Sequence, residues 1–110
     1  MPTIYKVLGQ SAPSATVATT LYTVPAATDS IVSSINVVNT HASTADTIRI
    51  AIRPAGATLA SQHYIVFGLS LAAGSTFTYT AGITIDTTDV ITVYSTTGTS
   101  SFSAFGSEIS

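Results

Sequence analysis

Two histidines, five acids and three basic residues are the whole titratable inventory besides tyrosine, so each chemistry can be tested against named positions. Serine catalysis needs a base oriented by a carboxylate. His41 lies in a polar loop, where a solvated side chain is expected. His63 opens an apolar strand, where an edge or contact role is expected. Gly68-Leu69-Ser70-Leu71-Ala72 has alanine where the nucleophile elbow requires a second glycine. Metal sites are built from clustered ligands. The one local acidic pair, Asp86 and Asp89, reads as side chains bonding backbone amides in a turn. Glycoside hydrolysis needs two carboxylates across a cleft, but Asp29, Asp46, Asp86, Asp89 and Glu108 fall mostly at turns. No glycine-rich phosphate loop is present, and no cysteine is available for disulfides or thiolate ligands. The expectation is a protein that is not an enzyme and holds no cofactor or metal.

Charge narrows the partners. Net charge is −2, and Lys6 is far in sequence from Arg49 and Arg53. Binding to nucleic acid needs a basic stripe that displaces counterions from phosphate, so it is not expected. Charged residues are only 7% of the 110 residues, against about 25% in ordinary soluble domains. Mean hydropathy is +0.49, yet no apolar run approaches the roughly 18 residues of a membrane helix, and no membrane role is expected. Met1-Pro2-Thr3-Ile4-Tyr5-Lys6 lacks the charged start and apolar stretch of a secretory signal, which points to synthesis and assembly in a cytoplasm. A free monomer stays soluble through mixed surface charge. With so little of it, much of this surface is expected to be covered by other protein.

The elements that position these residues follow a period of two. Strands are expected over Thr3–Leu8, Thr16–Val24, Ser30–Asn39, Thr47–Arg53, Gln62–Phe67, Thr76–Thr80 with a short continuation over Gly82–Ile85, Val90–Ser95 and Ser101–Ser107. Pro25 ends one, because proline cannot donate to a ladder. Ile48, Ile50 and Ile52 point one way, with Thr47, Arg49, Ala51 and Arg53 opposite. In the long third strand strict alternation puts Ile31, Ser33, Ile35 and Val37 on one face and Val32, Ser34, Asn36 and Val38 on the other. In Gln62–Phe67 it sets Tyr64 and Val66 against His63, Ile65 and Phe67. Phe77 and Tyr79 share a face, and Phe102 and Phe105 are opposed. Ala55–Ser61 has room for one helical turn. About eight short strands, spaced by Gly, Pro, Ser and Asp, predict an all-β antiparallel sandwich or jelly roll as one domain over 1–110.

Some residues suit contact with other protein. Arg49 and Arg53 project together from the polar side of the isoleucine strand, and arginine is the cation favoured at interfaces. Tyr5 and Lys6 on the first strand, and Glu108 and Ile109 at the end of the last, are candidates for reaching a neighbour by strand addition or by tucking into a partner. Tyr22, Tyr64, Tyr79 and Tyr94 divide between core and surface.

Leu21-Tyr22-Thr23-Val24-Pro25 before a Ser/Val strand, Arg49-Ile50-Ala51-Ile52-Arg53-Pro54-Ala55-Gly56, Gly82-Ile83-Thr84-Ile85-Asp86 with Asp89-Val90, and the ending Phe105-Gly106-Ser107-Glu108-Ile109 together resemble a group of small Thr/Ser-rich virion proteins of tailed bacteriophages, cyanophages included. The resemblance spans nearly the whole chain, and its motifs are structural. It implies a capsid cement (decoration) protein, a β-sandwich homotrimer that binds the major capsid protein and stabilises the head of the virion. The alternative it implies is a tail, neck or fibre component that binds a receptor or glycan. No functional residue carries over.

Overall fold

A computed structural model describes residues 2–110, which form nine strands. They are β1 (Thr3–Ser11), β2 (Thr19–Thr23), β3 (Asp29–Asn39), β4 (Asp46–Arg53), β5 (Tyr64–Leu71), β6 (Thr76–Tyr79), β7 (Ile83–Ile85), β8 (Val90–Ser95) and β9 (Ser100–Ile109). All pairings are antiparallel and make two sheets, one ordered β1-β9-β3-β6, with β7 also on β3, and one ordered β2-β8-β4-β5. β6 pairs with the second half of β3 and β7 with the first, so the two are halves of one broken strand. Counting them once gives the strand order of a jelly roll. The expected all-β sandwich is what the chain forms.

Alternation explains most of the core. Ile48 and Ile50 of β4, Ile91 and Val93 of β8, Ile35 and Val37 of β3 and Phe102 of β9 point between the sheets and are fully buried. Phe77 and Tyr79 pack against them from β6, with ring centroids 6.4 Å apart. Phe102 is inside and Phe105 outside, as their spacing requires.

Bulges interrupt alternation in β1, β2, β3 and β5, and in β3 and β5 they overturn the expected faces. The register between β3 and β9 shifts between Val32 and Ser34. The extra residue, Ser33, turns its hydroxyl to the Phe105 carbonyl at 3.1 Å. Val32 therefore joins Ile35 and Val37 inside, whereas Ile31 is 39% exposed. In β5 the register to β4 shifts twice, leaving Tyr64 opposite Ala51 and Phe67 opposite Arg49. Ala51 and Arg49 share a face, so Tyr64 and Phe67 do too, and their rings meet edge to face at 4.8 Å. That corrects the expected opposition of Tyr64 to Phe67.

Element ends moved for local reasons. β2 starts at Thr19 rather than Thr16, because Thr16 is in the left-handed region, with φ of 60°, inside a turn. The helical turn expected over Ala55–Ser61 is instead a pair of 3₁₀ turns, Pro54–Gly56 and Ser61–His63. β5 runs past Phe67 to Leu71 through Gly68, whose φ of 71° is the backbone of a bulge.

One end of the sandwich is closed by a buried polar network. The Asp46 carboxylate accepts hydrogen bonds from the hydroxyls of Ser95 and Ser100 and from the amides of Thr47 and Thr97. Asn39 donates to the carbonyls of Thr44 and Leu71 and accepts from the His41 amide and the Thr99 hydroxyl. Burial works against the Asp46 charge, but the bonds from Ser100, Ser95 and Thr97 outweigh it and hold the carboxyl below its usual range.

Candidate interaction surfaces

The outer face of the β1-β9-β3 sheet carries an apolar cluster. Tyr5 pairs with Ser107, which pairs with Ile31, and Val7 pairs with Phe105 in the neighbouring row. Residues directly across a ladder share a face, so Tyr5, Val7, Ile31 and Phe105 stand together. They are 83%, 46%, 39% and 37% exposed. Between them Gly106, Ser107 and Ser33 floor a shallow trough of about 600 Å³. Gly106 is needed there. A Cβ at this position would lie 2.0 Å from the Ile31 carbonyl oxygen, so only glycine lets β9 approach β3 beside the bulge.

Four of the six contact candidates come together at this edge, though not on one face. Tyr5 is on the outer face, while Lys6 donates to Glu108 at 3.3 Å on the other side of the sheet. Glu108 also accepts from the Tyr22 hydroxyl of the facing sheet at 2.5 Å. That bond, more than Lys6, holds the Glu108 carboxyl below its usual range. Ile109 pairs with Thr3 on one side and Asp29 on the other. The last strand is thus clamped between β1 and β3, and its end is engaged within the chain. β1 is the edge of its sheet, with its second side open.

Arg49 and Arg53 are on the opposite sheet, on one face of β4, and they differ. Arg53 Nε donates to the Thr92 hydroxyl at 2.9 Å, and Nη1 donates to the carbonyls of Gly56 and Ala57. It fastens the Pro54–Gly56 turn to β8. The Arg49 guanidinium lies between two aromatic rings, 4.4 Å from the Phe67 centroid and 4.5 Å from that of Tyr94. Its Nε is buried and has no hydrogen-bond partner among the described residues. Phe67 and Tyr94 were not among the candidates. They pair with Arg49 across the ladders on either side, a neighbourhood that sequence spacing does not encode.

The remaining polar groups are occupied by the backbone. Asp89 accepts from the amides of Ala55 and Asp86, and Asp86 from that of Thr87, the turn role expected of this pair. Asp29 is beside Asp86, whose hydrogen bond and negative charge raise its pKa above the usual value. His41 Nδ1 accepts from the amides of Ser43 and Thr44. His63 is buried in its 3₁₀ turn and accepts from the Ala60 amide at 3.0 Å. His63, buried within its turn, does not take the edge or contact role expected of it, and both imidazoles shape their loops. Among the described residues no three His, Asp or Glu side chains converge. Compared with family models, with curated proteins and with solved structures, the chain matches none.

Proposed function

We propose that this chain is a structural protein of a tailed-phage virion, a capsid cement subunit without enzymatic activity. It binds the major capsid protein lattice as a homotrimer and stabilises the head, after assembly in the host cytoplasm. The observation that carries this reading is the apolar outer face formed by Tyr5, Val7, Ile31 and Phe105 in a chain with so few charges. Grouped exposed apolar side chains mark contact surfaces, and a flat sheet face over Gly106 and Ser107 suits a broad, shallow joint. The jelly-roll strand order supports the reading by analogy, since viral capsid domains use it, as do lectin domains.

The test is the copy number and position of the chain in purified virions, together with the heat resistance of particles assembled without it. Hundreds of copies at capsomer joints, and a stripped head that releases DNA at lower temperature, are expected. A few copies at the tail would replace this reading with the neck or fibre role. Absence from the particle would end the virion assignment.

A further inference from the structure

Arg49 is held between two aromatic rings with its Nε unpaired among the described residues. Stacking between Phe67 and Tyr94 strips water from both faces of the guanidinium. A buried N–H without an acceptor is costly and rare in folded proteins, and Arg49 Nε is such a group. Among the described residues no carboxylate answers it. The one ion pair among the described residues is Lys6 with Glu108, and Asp46 and Asp89 are taken up by hydroxyls and amides. With both faces blocked and Nε buried, the outer edge formed by Nη1 and Nη2, which make no hydrogen bond among the described residues, is what remains for a partner. That edge is the fork that matches a carboxylate in two parallel bonds.

We propose that Arg49, Phe67 and Tyr94 form a socket for an acidic side chain, Asp or Glu, of a partner protein. Phe67 is 63% exposed and, with Tyr64 against its edge, gives the socket an apolar collar. Beside the collar is a recess of about 360 Å³ lined by Ser61, Tyr64 and Phe67. A phosphate or a nucleic-acid backbone would call for further cations, but Arg53 is committed to Thr92, Gly56 and Ala57, and Lys6 to Glu108. A sugar would call for several polar groups to read its hydroxyls, and the recess offers Ser61 and Tyr64 alone. Arginine flanked by aromatics is also the composition of protein-binding hot spots. The inference deepens the capsid reading and rests on it only for the identity of the partner.

The first experiment is nitrogen-15 NMR of the arginine Nε–Hε signals during titration with sodium acetate, against sodium chloride at equal ionic strength. A saturable downfield shift of Arg49 is expected, with a dissociation constant on the order of tens of millimolar for so small a probe. The Arg53 signal, already bonded to Thr92, is expected to stay in place. Equal, linear drift of both arginines, or the same shift in chloride, would overturn the socket. The second experiment rebinds the protein to heads assembled without it. Wild-type binding with a tenfold or greater loss in Arg49→Lys is expected. Equal binding by both proteins would remove the socket and leave the capsid reading. No binding by wild type, with acetate still saturating Arg49, would remove the capsid reading and leave the socket.

Discussion

The Tyr22 hydroxyl of β2 reaches across the sandwich to Glu108 of β9 and donates to it at 2.5 Å. Because its one proton is directed to the carboxylate, the Ser30 hydroxyl, 2.7 Å away, must be the donor to Tyr22. The chain Ser30 to Tyr22 to Glu108, joined by Lys6 from β1, ties the edge of one sheet to three strands of the other. Hydrogen bonds to charged groups contribute about 1.5–3 kcal/mol. Tyr22→Phe is therefore expected to lower unfolding free energy by about that amount, read from the midpoint of urea denaturation. A loss under about 0.5 kcal/mol would mean that water replaces the hydroxyl.

The same contact sets a dependence on pH at both extremes. Burial, and then the bond to Glu108, push the Tyr22 pKa from 10.0 to about 12. A group whose pKa is raised by folding stabilises the native state fully below its unfolded value, and this contribution is lost as pH rises through the folded one. Stability is expected to fall between pH 10 and about 12. Glu108 has the opposite sign. Its pKa is lowered from 4.5, first by Tyr22, so its contribution is present above pH 4.5 and is lost as pH falls through the folded value. Tyr22→Phe is expected to flatten both limbs of a pH–stability curve. An unchanged alkaline limb would assign the loss there to other groups.

Asp46 gives a second acid-sensitive point at the other end of the fold. Its pKa is lowered from 3.8, so its contribution is present above pH 3.8 and disappears as the carboxyl is protonated below it. Asp46→Asn keeps the shape but replaces an acceptor oxygen with a donor facing the hydroxyls of Ser95 and Ser100. Leaving such buried groups unmatched costs about 1–3 kcal/mol each. A drop of at least about 2 kcal/mol at pH 7, with a shallower acid limb, is expected by thermal and urea unfolding.

How far the sequence could be read depended on whether a residue's neighbours lie along the chain or across it. The inward run of Ile48 and Ile50, the split of Phe102 from Phe105 and the turn role of Asp86 and Asp89 are local patterns, and all were legible. The inside-outside assignment of Val32 and Ile31 was not, because a bulge at Ser33 leaves no mark in a run of Ser and Val. The same holds for Tyr64 and Phe67 in β5. Both arginines were picked out together by spacing, but what separates them is across the ladder, Thr92 for Arg53 and the rings of Phe67 and Tyr94 for Arg49. The Tyr22–Glu108 bond spans 86 residues and had no local signal.

Glycine substitutions separate steric demand from backbone conformation. At Gly106 a Cβ would meet the Ile31 carbonyl oxygen at 2.0 Å, a fixed backbone atom in the next strand. Gly106→Ala must push β9 from β3 and is expected to cost more than about 4 kcal/mol, in the range kept for disrupted cores. At Gly74 a Cβ would meet open space, but φ is +70°, and a left-handed alanine costs only about 1–2 kcal/mol. Thermal unfolding is expected to show Gly74→Ala slightly weakened and Gly106→Ala largely unfolded. Equal, mild losses would mean that the bulge at Ser33 relaxes to make room.

Arg49 also makes a prediction about stability alone. If the guanidinium were present to hold the sheet together, removing it would cost as much as losing a buried polar anchor. Two cation–π contacts favour it by about 0.5–1 kcal/mol each, while its buried, unpaired Nε opposes folding by about 1–3 kcal/mol. These nearly cancel. Methionine is shorter, but its thioether occupies the inner part of the slot between Phe67 and Tyr94 and makes favourable sulfur–aromatic contacts of about 0.3–1.5 kcal/mol. Arg49→Met is therefore expected to be within about 1 kcal/mol of wild type, or more stable, in urea denaturation. A loss of about 3 kcal/mol or more would make Arg49 a structural residue. Stability kept without the charge would mean that folding gains little from this cation, as a socket waiting for a partner's carboxylate requires.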